Sequence, residues 1–128
     1  MPSPSRSLEL VQQGVDAEFA RNIPQAREFY SAAWQAAEDD FQACVAAHYV
    51  AHLSSSPVDK HRWNLEALAR AERVRDGRVQ GFYPSLFVNL GRSYELLGDH
   101  QNAAVYYARA AALGLVHDPG AGGGHEEE

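Results

Sequence analysis

The apolar residues of this chain recur at helical spacing and hardly anywhere at the two-residue alternation of a strand. In residues 7–21, Leu8, Leu10, Val11, Val15 and Phe19 fall near one helix face. Residues 22–38 follow, with Asn22 placed to cap and Pro24 in the first turn. Residues 41–53, "FQACVAAHYVAHL", form a third segment. The fourth, residues 56–77, opens with Ser56 as cap, Pro57 at the first helical position and Asp59 where its charge meets the helix dipole. Gly77 is its expected stop. Residues 84–98 open at Pro84 and close at Gly98; residues 99–114 are capped by Asp99 and end at Gly114. The pattern predicts six helices and an all-α fold.

The segments also repeat. Gly14 and Gly91 are 77 residues apart, as are Ala26 and Ala103, Tyr30 and Tyr107, and Ala33 and Ala110. Small residues at three such points let two antiparallel helices approach closely, and the aromatic fills the space toward the next pair. This pattern resembles the tetratricopeptide repeat, a helix–turn–helix unit of about 34 residues. The resemblance implies antiparallel helix pairs stacked as a short right-handed superhelix. It implies three units, 7–40, 41–74 and 84–117, with residues 75–83 inserted. The last unit carries it best, through Phe87, Leu90, Gly91, Tyr94, Ala103, Tyr107 and Ala110. The first matches at Leu10, Gly14, Ala26, Tyr30 and Ala33 and departs at Gln13 and Ala17. In the middle unit Ala47, Ala51 and Ala67 conform. His48, Lys60 and Asn64 stand there in place of a small residue, an alanine and an aromatic. The stretch from Arg62 to Asp99 is also similar to a group of small bacterial tetratricopeptide proteins.

In that family the first helices of successive pairs line a concave groove. The resemblance then implies groove positions at Leu8, Val11, Val15, Glu18 and Phe19 in the first unit. The second unit offers Gln42, Val45, Tyr49, His52 and Leu53, and the third Ser85, Val88, Arg92, Glu95 and Leu96. The expected partner-binding set is Phe19, Tyr49, His52, Leu53, Val88, Asn89, Arg92 and Leu96, since aromatic and arginine anchors suit peptide or helix recognition. The expected function is that of a protein–protein interaction module, binding a peptide or helix or associating with itself. Chaperone-binding members hold a C-terminal carboxylate with Lys, Asn and Arg. The corresponding places here are Val11, Val15, Ala46, Ser85 and Asn89, so that activity is not expected. The sixth helix shows Ala104, Tyr106, Tyr107, Ala108, Ala111 and Leu113 around much of its circumference, which favours a homodimer.

Composition narrows the classes. The chain has 128 residues, 45% apolar and 22% charged, which suits one domain with a real core. A net charge of -6 argues against nucleic acid as a partner. The charge is uneven: residues 7–40 hold seven acids against Arg21 and Arg27, and residues 60–78 hold six bases against Glu66, Glu72 and Asp76. Such asymmetry orients a partner or simply marks solvated helix faces. The single cysteine, Cys44, excludes an intramolecular disulfide and reads as a buried thiol. No signal peptide and no membrane-spanning stretch are visible, so a cytoplasmic protein is expected. Residues 1–6 and 118–128, rich in Pro, Ser, Gly and acids, are expected to be disordered.

Candidate chemistry centres on the middle unit. His48 and His52 share a helix face, as two metal ligands would. A third ligand would have to come from His61, Asp59 or Glu95, and "HYVAH" lacks the glutamate of a zinc-protease helix. The other readings are a pocket formed by His48, His61, Trp63, Asn64 and Tyr83, or a structural His48 bonded to Asn64 within the helix pair. A small-molecule-binding or catalytic protein using that cluster is the alternative function. No catalytic residue, metal or cofactor is assigned. "GAGGGH" precedes acids and no helix, so it is not a phosphate cradle.

Overall fold

A computed structural model of the chain describes residues 5–114. Six helices follow one another: α1 (Arg6–Phe19), α2 (Ile23–Ala36), α3 (Asp40–Leu53), α4 (Pro57–Ala71), α5 (Tyr83–Leu96) and α6 (His100–Ala112). A single 3-10 turn, Gln80–Phe82, precedes α5, and no strand occurs among the described residues. No helix among them is long and apolar enough to cross a membrane. Of the termini expected to be disordered, Ser5 and Arg6 belong to the fold, because the Ser5 side chain accepts the Leu8 N–H and caps α1. Residues 1–4, the end of the expected third unit at 115–117 and the tail 118–128 lie outside the described residues.

The helices pack as pairs, α1 with α2, α3 with α4 and α5 with α6, and the pairs stack through α2 on α3 and α4 on α5. Ala33, Ala67 and Ala110, equivalent residues of the three units, are all 0% exposed. At each of these points one methyl fills the whole space between two backbones, which is how a small residue sets a close helix crossing. Asn22, Ser56 and Asp99 cap the second helix of each pair, accepting the N–H of Gln25, Asp59 and Asn102. The 3.6-residue pattern and the caps thus yield the all-helical stack expected of the sequence.

The link between the second and third pairs differs from expectation. Helix α4 stops at Ala71, well before Gly77, which lies in the following loop. The Glu72 N–H bonds Leu68 and Arg70 carbonyls, Arg73 bonds Arg70 and Val74 bonds Ala71, tightening the last turn. The cause is tertiary. Val79 is 0% exposed within the main core cluster, and Phe82 packs on two clusters and approaches the Phe41 ring at 6.3 Å. Burying Val79 stabilises by roughly 1.5–3 kcal/mol, and half-burying Phe82 adds part of a similar amount. That outweighs the few solvent-facing turns that a longer α4 would add.

The uneven charge is partly answered inside the molecule. Arg70 donates to Glu66 at 2.8 Å and Asp40 at 3.2 Å and lies over the Trp34 ring at 5.2 Å. Arg78 lies 3.8 Å from Asp39, 2.8 Å from Asp76 and 4.6 Å from the Phe41 ring centre. The acidic α2–α3 turn and the basic insertion therefore clamp each other.

Candidate functional site

The site is best read by comparing equivalent residues across the units. In the first, Gly14 lies against the Tyr30 ring, where any β-carbon would overlap ring atoms. The Tyr30 hydroxyl donates to Glu18 Oε1 at 2.5 Å. In the third, Gly91 lies against Tyr107, whose hydroxyl donates to Glu95 Oε1 at 2.6 Å. Burial, followed by the bond to the glutamate, raises both phenols well above their ordinary range. A Gly–Glu–Tyr set thus locks each outer pair.

The middle unit exchanges all three members. His48 stands for the glycine, His52 for the glutamate and Asn64 for the tyrosine. The exchange reverses the sizes while conserving total volume: α3 carries a large side chain where the outer units have glycine, and α4 a small one where they have tyrosine. His48 is half-buried, and its partner is not the Asn64 side chain that the sequence suggested. Asn89 of α5 lies between them. Its Nδ2 meets His48 Nδ1 at 3.4 Å, and its backbone oxygen accepts Asn64 Nδ2 at 3.3 Å. The imidazole of His48 also meets the Tyr49 ring edge-on at 5.0 Å, and Tyr49 packs on Tyr30 at 5.1 Å. His52 turns away to the first unit, with Nε2 3.0 Å from Glu18 Oε2. The two histidines therefore link the middle unit to opposite neighbours.

Lys60 completes this exchange. Its equivalents Ala26 and Ala103 are buried at the crossing. In the outer units the first helix ends in a left-handed residue, Arg21 at φ 62° and Gly98 at φ 82°. The next residue's N–H then reaches back, Asn22 to Ala17 and Asp99 to Tyr94, both at 2.9 Å. In the middle unit the cap, Ser54, is extended. Lys60 Nζ instead donates to the Ala51 and His52 carbonyls at 3.1 and 3.2 Å, satisfying the end of α3 from the side. Burial lowers its pKa.

The expected pocket residues are not brought together. Only His48 and Asn64 meet, through Asn89. Trp63 turns to α2 and contacts Trp34 edge-on at 5.0 Å. Tyr83 packs on Phe87 at 5.7 Å beside the insertion. His61 faces α5, where Nδ1 lies 2.8 Å from Ser93 Oγ and the ring meets Tyr94 at 4.3 Å. Desolvation lowers the His61 pKa against a smaller opposing effect of Asp99. Sequence reasoning missed Ser93, although its spacing from Leu86 and Leu90 puts it on the core face. Ser93 is 0% exposed and donates to the Leu90 carbonyl at 3.0 Å, so it accepts from His61 and has no free path to a substrate. Among the described residues no group of three His, Cys, Asp or Glu side chains is placed to hold a metal ion.

The groove set divides similarly. Val88 is 1% exposed and belongs to the core cluster with Val79, Cys44 and Leu68, because α5 packs across α4 and the insertion. It is a core residue rather than a groove contact. Tyr49, Leu53, Asn89 and Arg92 are half-buried, and His52 lies at the rim. Phe19 and Leu96, equivalent residues at the ends of α1 and α5, are 84% and 58% exposed. On α6, Tyr107 turns inward and Tyr106 stacks on Tyr94 at 5.6 Å, which leaves a narrower apolar face than the sequence suggested. Among the described residues, clefts open elsewhere. One, of about 450 Å³, is lined by Trp34, Asp39, Asp40 and Arg70, whose charges pair with one another or with their neighbours. Another, of about 290 Å³, lies among Arg27, Tyr30, Leu53, Asp59 and Trp63.

Fold and site together define an all-α array of helix pairs with two alike outer units and an altered middle one. Comparison of the chain with protein-family models, curated proteins and solved structures finds no match.

Proposed function

We propose that this protein is a tetratricopeptide-like interaction module that binds a peptide or helix segment of another protein along the rim formed by the ends of α1, α3 and α5. The observation that carries this reading is Phe19. It is 84% exposed at the end of α1, in the row continued by Leu53 and Leu96. A phenyl ring left in water gains roughly 1.5–3 kcal/mol when a partner covers it. Beside that row run Glu18, His52 and Glu95, polar groups able to fix the register of a bound segment. Family membership is supported by the 77-residue recurrence of glycine, alanine and tyrosine and by the equivalent contacts these residues make. The reading includes a cytoplasmic setting, supported by the one cysteine, Cys44, being buried and free.

The test is a peptide-display selection on the intact protein. Enriched peptides should carry apolar anchors and should lose binding to a Phe19→Ser/Leu96→Ser variant, whose changes fall on exposed side chains and leave the core alone. Peptides that bind the variant as well as the parent, or a selection that enriches none, would sink the proposal.

A further inference from the structure

The internal interfaces of the array show what its last edge is shaped to accept. Helix α2 packs on α3 and α4 packs on α5, whereas α6 packs, among the described residues, on α5 alone. Equivalent residues define the open edge. Trp34 of α2 and Leu68 of α4 sit in core clusters at the boundary with the next pair, and their equivalent on α6, Ala111, is exposed. His61 of α4 rests on Tyr94 and Ser93 of α5, and its equivalent on α6, Ala104, is also exposed.

The polar contact follows the same rule. Glu18 holds Tyr30 with one carboxylate oxygen and receives His52, from the next unit's first helix, with the other. Glu95 holds Tyr107 with one oxygen, and among the described residues no following helix packs on this pair to approach its second oxygen as α3 approaches Glu18. The chain therefore contains a worked example of the missing contact: an incoming helix that brings a nitrogen donor to this carboxylate. Another copy stacked head-to-tail would not supply it. Its first helix carries Glu18 at that place, so two carboxylates would face each other, a juxtaposition that disfavours the complex.

We propose that the α5–α6 edge docks an amphipathic helix of a different protein, one that lays small or apolar side chains over Ala104 and Ala111 and aims a cationic side chain at Glu95. The recognition combines the shallow surface left by two alanines, which admits a close helix approach, with one carboxylate already oriented by a tyrosine hydroxyl. The acidic balance of the chain, -6 overall, favours such a cationic partner at a distance as well.

The test uses the intact chain and the segment that plays this part on the first unit. A lactam-stapled peptide of residues 39–54 with His52→Arg, and a control with His52→Glu, are titrated by fluorescence anisotropy. The Arg peptide should bind at least about tenfold tighter. Glu95→Gln keeps an acceptor for Tyr107 and should bring the two peptides to near-equal affinity. Ala111→Arg should weaken both, and Phe19→Ser should change neither, which separates this edge from the groove reading. Equal binding of the two peptides, no binding, or binding that survives Ala111→Arg would overturn the proposal. So would a dimer in sedimentation that Ala111→Arg disperses, since a second copy would then be the occupant. A tenfold gain in peptide affinity on deleting residues 115–128 would assign the edge to the chain's own tail and overturn it too.

Discussion

Gly14 lies directly against the ring of Tyr30, with no room between them for a methyl group. Tyr30 is 0% exposed and its hydroxyl is tied to Glu18, so the ring cannot give way. Alanine at position 14 would gain about 1 kcal/mol of helix propensity over glycine. Overpacking a fixed core typically costs about 1–3 kcal/mol. The overlap with a ring that cannot shift puts the cost at the upper end of that range, so Gly14→Ala should lower stability by a net of about 1–2 kcal/mol in urea unfolding followed by circular dichroism. Gly91→Ala meets the same kind of overlap with Tyr107, whose hydroxyl is tied to Glu95, and should cost somewhat less only as far as the half-buried ring is packed less tightly. A Gly14→Ala variant as stable as the parent would remove the steric account.

The middle unit allows the converse experiment. His48→Gly leaves a void, and Asn64→Tyr alone overfills the crossing. Together they recreate the glycine–tyrosine pair of the outer units. The double variant should be more stable than the sum of the singles predicts, with a coupling of about 1–2 kcal/mol. Additive single effects would show that the volume exchange between His48 and Asn64 does not govern this crossing.

Much of this architecture was legible because local chemistry and the core demand the same thing. Asn22, Ser56 and Asp99 are caps by side-chain type, and the helix pattern behind each one agrees. The glycine and tyrosine recurrence announced a close crossing, and the structure places those residues in contact. The end of α4 was not legible. "ERVRDG" has no local reason to leave the helix before Gly77; what ends it is burial of Val79 eight residues beyond Ala71, a contact distant in sequence. The partner of His48 was hidden for a related reason. Spacing within a pair points to Asn64, but Asn89 of the next pair bonds both side chains, the His48 ring with its amide and Asn64 with its backbone oxygen. Residues that settle a boundary between units cannot be read from the repeat that defines the units.

Arg21 illustrates a local strain that sequence pattern does not flag. It adopts φ 62° at the place where the third unit has Gly98 at φ 82°. A side chain in the left-handed region costs about 1–2 kcal/mol, part of which glycine loses again through the freedom it adds to the unfolded chain. Arg21 is exposed and its turn is already closed by the Asn22-to-Ala17 bond. Arg21→Gly should therefore stabilise by about 0.5–1 kcal/mol, raising the melting temperature by a few degrees. An unchanged or lower melting temperature would show that the Arg21 side chain has a compensating interaction.

Lys60 is the only lysine of the chain, and it donates to two carbonyls at the end of α3, Ala51, which also accepts the Ser54 N–H, and His52. Lys60→Met keeps the aliphatic stem and removes the donors. The loss should be about 0.5–1 kcal/mol, since the Ala51 carbonyl keeps the Ser54 N–H and only the exposed His52 carbonyl loses its donor to solvent. Hydrogen exchange gives the sharper measurement. Amides in the last turn of α3 should exchange faster, while those at the end of α1, whose turn is closed by backbone bonds, should not change. Uniform acceleration across both helices would mean a global loss rather than a local one.

Stability at alkaline pH should fall in two parts. Cys44 is 1% exposed, and burial pushes its thiol from an ordinary value of 9.0 up to about 11. The folded state then holds a proton that the unfolded state releases, so this contribution is complete below pH 9 and is lost as the pH rises through about 11. Two units correspond to about 2–3 kcal/mol at most. Tyr30 acts with the same sign from a higher starting point, since burial and the Glu18 bond raise a phenol whose ordinary value is 10.0. Urea midpoints measured between pH 8 and about 11 should decline from pH 9 in the parent. In Cys44→Ala the onset should move up to about pH 10, and Tyr30→Phe should reduce the remaining upper part, which Tyr107, raised by the same causes, shares, at the cost of the Glu18 bond. A Cys44→Ala profile parallel to that of the parent would show that the thiol is not held neutral by burial, and would place Cys44 in contact with water.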